Sequence, residues 1–413
     1  MRSQFQPCFS LMIRGAFAAT LAVCAALPAA AQQIHANALH DDPLVRQAYQ
    51  SFYDLDYPAC VADLEKLRLA HPGDPSAAAF LLEARVFEEL YRQDLLDTTF
   101  YANDGFLTGK HPTPEDNTVR DRIFALEEEV ERDAEARLHA NGHDVDALYA
   151  RGWARSLRAA YMAMVERSFN AAFHLALQAH SDEAKVLQID PDYVDAKLVV
   201  GTYQYVIGAL PWAFKFFFGF AGITGSKARG MEMLNDDFAR GPMTSTEAGT
   251  VISLFLRREG KYKEGIAAVR KLEAKYPHDF LFRLEEANLR KDAGEGMAAA
   301  SAYETLLSEA RKPGYFPSSH LELAEFGLGE TLYGQRHFAD SAQAYEQAAF
   351  VPGSGAELKR RSLVSAGKAR DLNGQRDLAI QDYKWAIASE PNGSATTQGD
   401  IARRYLKTPY REQ

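Results

Sequence analysis

A step of 34 residues constrains this chain more than any other feature. Ser253, Gly265, Val269 and Leu272 recur 34 residues later as Ala287, Ala299, Tyr303 and Leu306, in steps of 12, 4 and 3. Gly260 and Gly294 each stand seven residues after the first small residue, and Pro277 follows Leu272 by five. Each unit reads as two helices. The small residue sits where a neighbouring backbone passes close, and the glycine ends the first helix in a turn. The second helix presents apolar side chains at i, i+4 and i+7, on one face. Proline stops it. Such a hairpin cannot bury its apolar stripe alone, so it stacks on the next.

The same steps recur along the chain. Ala48, Cys60, Leu64, Leu67 and Pro72 make a first unit. Gly329, Ser341, Tyr345 and Ala348 make another, and Gly367, Ala379, Tyr383, Ala386 and Pro391 the last. These segments resemble the tetratricopeptide repeat superfamily. The spacing and the resemblance together predict an all-α, right-handed superhelical solenoid of about eight hairpins. Gln398 to Leu406 is expected to close it as a polar capping helix, because solenoid ends need a soluble face.

Residues 1–31 read as a secretory signal peptide: Arg2 and Arg14, an apolar run from Ala16 to Leu27, and the small residues Ala29-Ala30-Ala31. Export to the periplasm or medium is expected, with cleavage near Ala31. Without that segment, 44 basic residues face 56 acidic ones, a net charge of −12. Bulk charge therefore argues against a nucleic-acid partner. Cys60 alone remains of the three cysteines, and its place in the repeat is that of a buried small residue rather than a nucleophile.

The expected organisation is four segments after the leader. Residues 32–194 form N-terminal hairpins, interrupted by a loop at 97–116 that carries Gly105, Gly109, Pro112 and Pro114. Residues 195–244 form a degenerate repeat with an aromatic insert. Residues 245–393 hold the C-terminal repeats, and 394–413 the capping helix and tail. Ser76 to Leu95 and Asn117 to about Ala140 are expected as the helices of the second hairpin. Gly152 is expected at a close-packing place, and Gly208 at a turn. Glu127 to Glu131 read as a solvated helix face. Adjacent acids such as Asp236-Asp237 and Glu285-Glu286 read as ordinary surface pairs.

Six aromatics fall between Trp212 and Phe220. Trp212, Phe216, Phe217 and Phe218 could contact a partner or a membrane surface, or lie buried across the solenoid. Around them, Leu210-Pro-Trp-Ala-Phe214 and Gly219-Phe-Ala-Gly-Ile223 resemble the eukaryotic repeat proteins linked to the mitochondrial outer membrane and inclusion-body clearance. The apolar pieces are too short to span a bilayer.

No phosphate loop, nucleophile elbow or zinc-helix motif occurs. His139 and His143 are separated by Asn141-Gly142, which should end a helix between them. No catalytic residue, metal or cofactor is expected. An enzymatic or ligand-binding site under the 97–116 loop is the rival reading, and membrane-surface attachment through the insert a third. The leading expectation is a scaffold that binds a protein or peptide. Resemblance to the superfamily implies that first helices line a concave groove. Arg257, Arg258, Asn288, Lys291, Tyr333 and Lys368 would then face it, and make it more basic than the chain as a whole. Such a face could hold an acidic segment or a terminal carboxylate. The superfamily's carboxylate-binding lysine one turn before Asn288 is replaced by Leu284.

Overall fold

The computed structural model describes residues 34–102, 116–210, 224–391 and 394–412. Among them the chain forms 17 α-helices and no strand. They pair in order: α1 (Pro43–Tyr53) with α2 (Tyr57–Ala70), α3 (Pro75–Arg92) with α4 (Asn117–Ala140), and α5 (Val145–Met164) with α6 (Phe169–Ile189). Next come α7 (Lys197–Ala209) with α8 (Lys227–Arg240), α9 (Ser245–Arg258) with α10 (Tyr262–Lys275), and α11 (Phe280–Asp292) with α12 (Gly296–Ala310). The last pairs are α13 (Leu321–Gly334) with α14 (Phe338–Phe350) and α15 (Ala356–Leu372) with α16 (Arg376–Ala388). A final helix, α17 (Thr397–Lys407), packs on both α15 and α16. Eight hairpins and a cap match the expectation. The leader, the aromatic insert from Pro211 to Ile223 with Trp212, Phe216, Phe217 and Phe218, and most of the 97–116 loop lie outside the described residues.

Local chemistry sets the helix boundaries. Aspartates cap the starts: Asp42, Asp56, Asp74, Asp116, Asp144 and Asp279 each accept a first-turn N–H. Pro43 and Pro75 follow at the first helical position, where no N–H is needed. The turn glycines end first helices in the left-handed region, with φ of +70° at Gly260, +75° at Gly294 and +73° at Gly374. In each case the next N–H bonds back five residues, as in Lys261 N–H to the Leu256 carbonyl at 2.9 Å. The same offset carries no glycine in two repeats, yet the backbone does not change. Leu55 takes φ +61° and Arg336 φ +65°, with the same closing bond from Asp56 to Ser51 and from His337 to Leu332. Repeat geometry there outweighs the intrinsic cost of the conformation. Gly208 differs from expectation: it stays inside α7, where a Cβ would lie 2.6 Å from the Lys227 nitrogen.

Small residues meet large ones sixteen places later, between the helices of one hairpin. A Cβ on Gly329 would lie 2.7 Å from the Tyr345 ring, and one on Gly367 2.5 Å from the Tyr383 ring. Tyr383 is fully buried and its hydroxyl is held by Asp371 at 2.9 Å, so the ring cannot swing away. Gly367→Ala is therefore expected to destabilise by about 1–3 kcal/mol through overpacking, against a helix-propensity gain of about 1 kcal/mol. Gly334→Ala, in a helix with open space around it, should show the gain alone. Urea midpoints of the two variants check the sign of each. Gly152 is also a close-packing site, but its neighbour is the buried Glu183 carboxyl. Cys60 is buried as expected, and burial pushes its thiol pKa up.

Three sets of acids correct the surface reading. Glu127 is buried and receives a bond from Arg158 at 2.6 Å. Asp237 is fully buried and accepts from the Thr244 hydroxyl, and Glu285 is buried and accepts from the Thr98 hydroxyl. In each case a neighbouring hairpin covers a position that a single helix would leave in water.

Candidate functional site

Two of the residues expected to face a groove bond to acids of the next first helix. Arg257 in α9 bonds Asp292 at the end of α11 at 2.7 Å, and Lys291 in α11 bonds Glu330 in α13 at 2.5 Å. Glu330 also takes Arg361 from α15 at 3.0 Å. Successive first helices thus share one face, as the repeat phase requires. The face is less basic than the sequence suggested, because Arg257 and Lys291 are matched by acids of the next repeat.

Nor is it open along its length. A 3-10 turn, Thr98–Tyr101, follows α3 and lies across α9 and α11. Arg257 donates to the Thr98 hydroxyl at 2.8 Å and to the Thr99 hydroxyl at 3.2 Å. Arg258 donates to the Tyr101 carbonyl at 2.7 Å, and Asn288 to the Asp97 carboxylate at 3.2 Å. Arg257 and Asn288 are each only 3% exposed, so no segment of another protein reaches them in this arrangement. Further along, the Tyr53 hydroxyl donates to Glu247 at 2.6 Å, and the Tyr91 hydroxyl to Ser318 at 2.9 Å. The N-terminal hairpins therefore fill the first half of the face. A cavity of about 160 Å³ remains between them and the C-terminal repeats, lined by Phe52, Leu55, Phe87 and Leu281 together with Glu247 and Glu285.

The second half is met by the chain's own end. Beyond α17 the tail runs without regular structure. The Tyr410 N–H donates to Asp371 at 2.8 Å, and its ring lies 5.3 Å from the Lys368 ammonium. Lys368 sits 5.6 Å from the Tyr405 ring as well. Glu412 accepts from Arg336 at 2.9 Å. Tyr333 interacts with Tyr410, and burial chiefly raises the Tyr333 hydroxyl pKa, with Tyr410 adding to it. The tail is thus an extended peptide on the first-helix face, with an aromatic ring over a cation and an acid on an arginine.

Electrostatics under the N-terminal hairpins are unusual. Burial raises the carboxyl pKa of Glu83 and Glu247, and each keeps a tyrosine donor, Tyr49 at 2.5 Å and Tyr53 at 2.6 Å. Asp279 and Glu285 are pushed up to about 7, again mainly by burial, although Arg257 pulls Glu285 back.

The described geometry decides the fold. It is a tetratricopeptide-repeat-like helical solenoid. Solved structures similar to it include a tetratricopeptide repeat protein from Parabacteroides merdae, at 13% identity, covering 78% of this chain and 97% of that one with a TM-score of 0.34. Human IFIT1, solved as a dimer with PPP-AAAA, is similar at 13% identity, 91% and 86% coverage and a TM-score of 0.41. Yeast Tom70 is similar at 13% identity, 88% and 80% coverage and a TM-score of 0.34. No family model and no curated protein matches the sequence.

The contacts of the N-terminal hairpins and of the tail with this face could not be read from the sequence. Periodicity places a residue on a helix face but does not say which distant segment covers that face. Glu83 did carry a signal. It stands in the apolar run Ala77 to Ala84, where no surface stripe has room.

Proposed function

We propose that this solenoid is an exported scaffold that takes an extended segment of a partner protein along the first-helix face of its last repeats. The tail on that face supports the reading. Lys368, Arg336, Asp371 and Tyr333 already hold a peptide-like strand through one backbone bond, one ring over an ammonium and one ion pair. These are the contact types by which side chains recognise an extended segment. Arg257, Arg258 and Asn288 belong to the internal docking of the N-terminal hairpins instead, and Lys291 sits between the two occupied halves. Secretion rests on the leader chemistry of residues 1–31. No described helix is long and apolar enough to cross a membrane.

A variant lacking residues 408–413 tests the site. A fluorescent peptide of the tail sequence Thr-Pro-Tyr-Arg-Glu-Gln should bind the shortened protein saturably, and the full chain at least about tenfold more weakly, because an attached tail competes at high effective concentration. Lys368→Ala and Arg336→Ala should each weaken binding to the shortened protein. Equal binding to both forms, or none to a folded shortened protein, rejects this face as a peptide site.

A further inference from the structure

We propose that Asp94, His320 and Glu322 form a binding site for a divalent first-row metal ion at the seam between the N-terminal hairpins and the C-terminal repeats. The three donors come from two places distant in the sequence. Asp94 lies just past the end of α3, His320 precedes α13, and Glu322 is in its first turn. One ligand atom from each lies within 4.8 Å of the other two. Asp94 Oδ1 is 2.8 Å from His320 Nδ1, and Glu322 Oε1 is 2.7 Å from the same nitrogen.

That arrangement is poorly served by hydrogen bonding alone. Nδ1 offers at most one N–H, and two carboxylates point at it. Glu322 Oε1 takes the one N–H in hydrogen-bond geometry, and the enclosed Asp94 Oδ1 is left with only its ion-pair contact to the same nitrogen. A cation at the centre of the three would satisfy all of them. One imidazole nitrogen and two carboxylate oxygens form a mixed donor set that suits zinc, manganese or a similar divalent ion, and the two negative charges match its own. The donors would separate slightly on loading, since metal bonds of about 2.0–2.2 Å set ligand atoms more than 3 Å apart in a tetrahedron. The Tyr91 ring meets the imidazole edge-on at 4.3 Å and fixes its orientation. Asp94 and His320 are 28% and 17% exposed, which leaves a route for the ion and room for water ligands. The backbone at Asp94 is left-handed, φ +59°, and holds the carboxylate toward the seam. A bound ion would tie the two halves across the docked face, independently of whatever binds at the tail.

Zinc alone is the probe. Calorimetric titration of the chelator-treated full chain should show one saturable site, and zinc should raise the thermal midpoint. Asp94→Asn and Glu322→Gln keep the side-chain shapes. Each should weaken binding about tenfold or more and abolish the thermal shift, since losing a direct ligand costs no less than losing a supporting contact. A wild-type chain that takes up no zinc at this stoichiometry, or two folded variants that bind as tightly as wild type, would mean that the cluster is a proton-held ion triad only. His35, which bonds Asp190 at 2.7 Å, provides a control: His35→Ala should leave the zinc site unchanged.

Discussion

Replacing Arg257 with methionine is expected to lower the unfolding free energy by about 3–5 kcal/mol, the range for breaking a buried ion pair from one side. The Arg257 side chain is 1% exposed and faces Glu285 at 3.3 Å and Asp292 at 2.6 Å. Its remaining donors hold the Thr98 and Thr99 hydroxyls of the 3-10 turn. Methionine fills much of the volume and supplies none of those bonds. Glu285 is then left buried beside Asp97 without its cation. A second change, Glu285→Gln, removes that stranded carboxylate and should recover a large part of the loss. The urea midpoint of the single and double variants measures both terms. A loss below about 1 kcal/mol in the single variant would show that Arg257 does not fasten the N-terminal hairpins to the repeats.

The protein should also be more stable at pH 5.5 than at pH 8. Burial raises the carboxyl pKa of Glu83 and Glu247, and holds Asp279, Glu285 and Asp382 near 7. The folded chain therefore binds protons at these sites more tightly than the unfolded chain does. Their stabilisation is fully present below the ordinary carboxylate range and is lost as pH rises through about 7. Several groups oppose the trend. Glu286 and Glu390 are held low, burial lowers His180, and two further carboxylates are held lowest. Asp236, held near 2 chiefly by Arg240, and Glu259, held near 2 chiefly by Lys227, lose stability only as pH falls below the ordinary carboxylate range. Between pH 5.5 and 8 the raised group dominates. The thermal midpoint is expected to be higher at the acidic end by about 5 °C or more, since a few kcal/mol moves a chain of this size by several degrees. Glu247→Gln should flatten the slope. A midpoint that is equal or higher at pH 8 would show that the buried carboxylates are charged and solvated.

The hairpin architecture was readable from the residues. A fixed offset of seven from small residue to turn appears in the sequence as glycine in four repeats; three of those glycines are left-handed in the structure, as are Leu55 and Arg336 at the same offset. Aspartates and prolines stand at the helix starts, where they act within one turn of the backbone. Cys60, Ala287 and Gly367 fell in the core because repeat phase alone assigns them to a helix contact.

Tertiary structure decided everything that depends on two distant segments meeting. Glu127, Asp237 and Glu285 looked solvated because one helix leaves them outside its apolar stripe; a second hairpin then covered them. Arg257 and Asn288 were expected on an open groove, and the Thr98–Tyr101 turn with Asp97 covers them instead. Tyr410 reached Lys368 and Asp371 only because α17 turns the tail back across the last repeats. Asp94 met His320 and Glu322 because the N-terminal hairpins dock against the C-terminal repeats. A local period fixes which way a side chain points from its own helix. The curvature that brings one end of a solenoid onto the other accumulates over every hairpin between them, so no short stretch of sequence carries it.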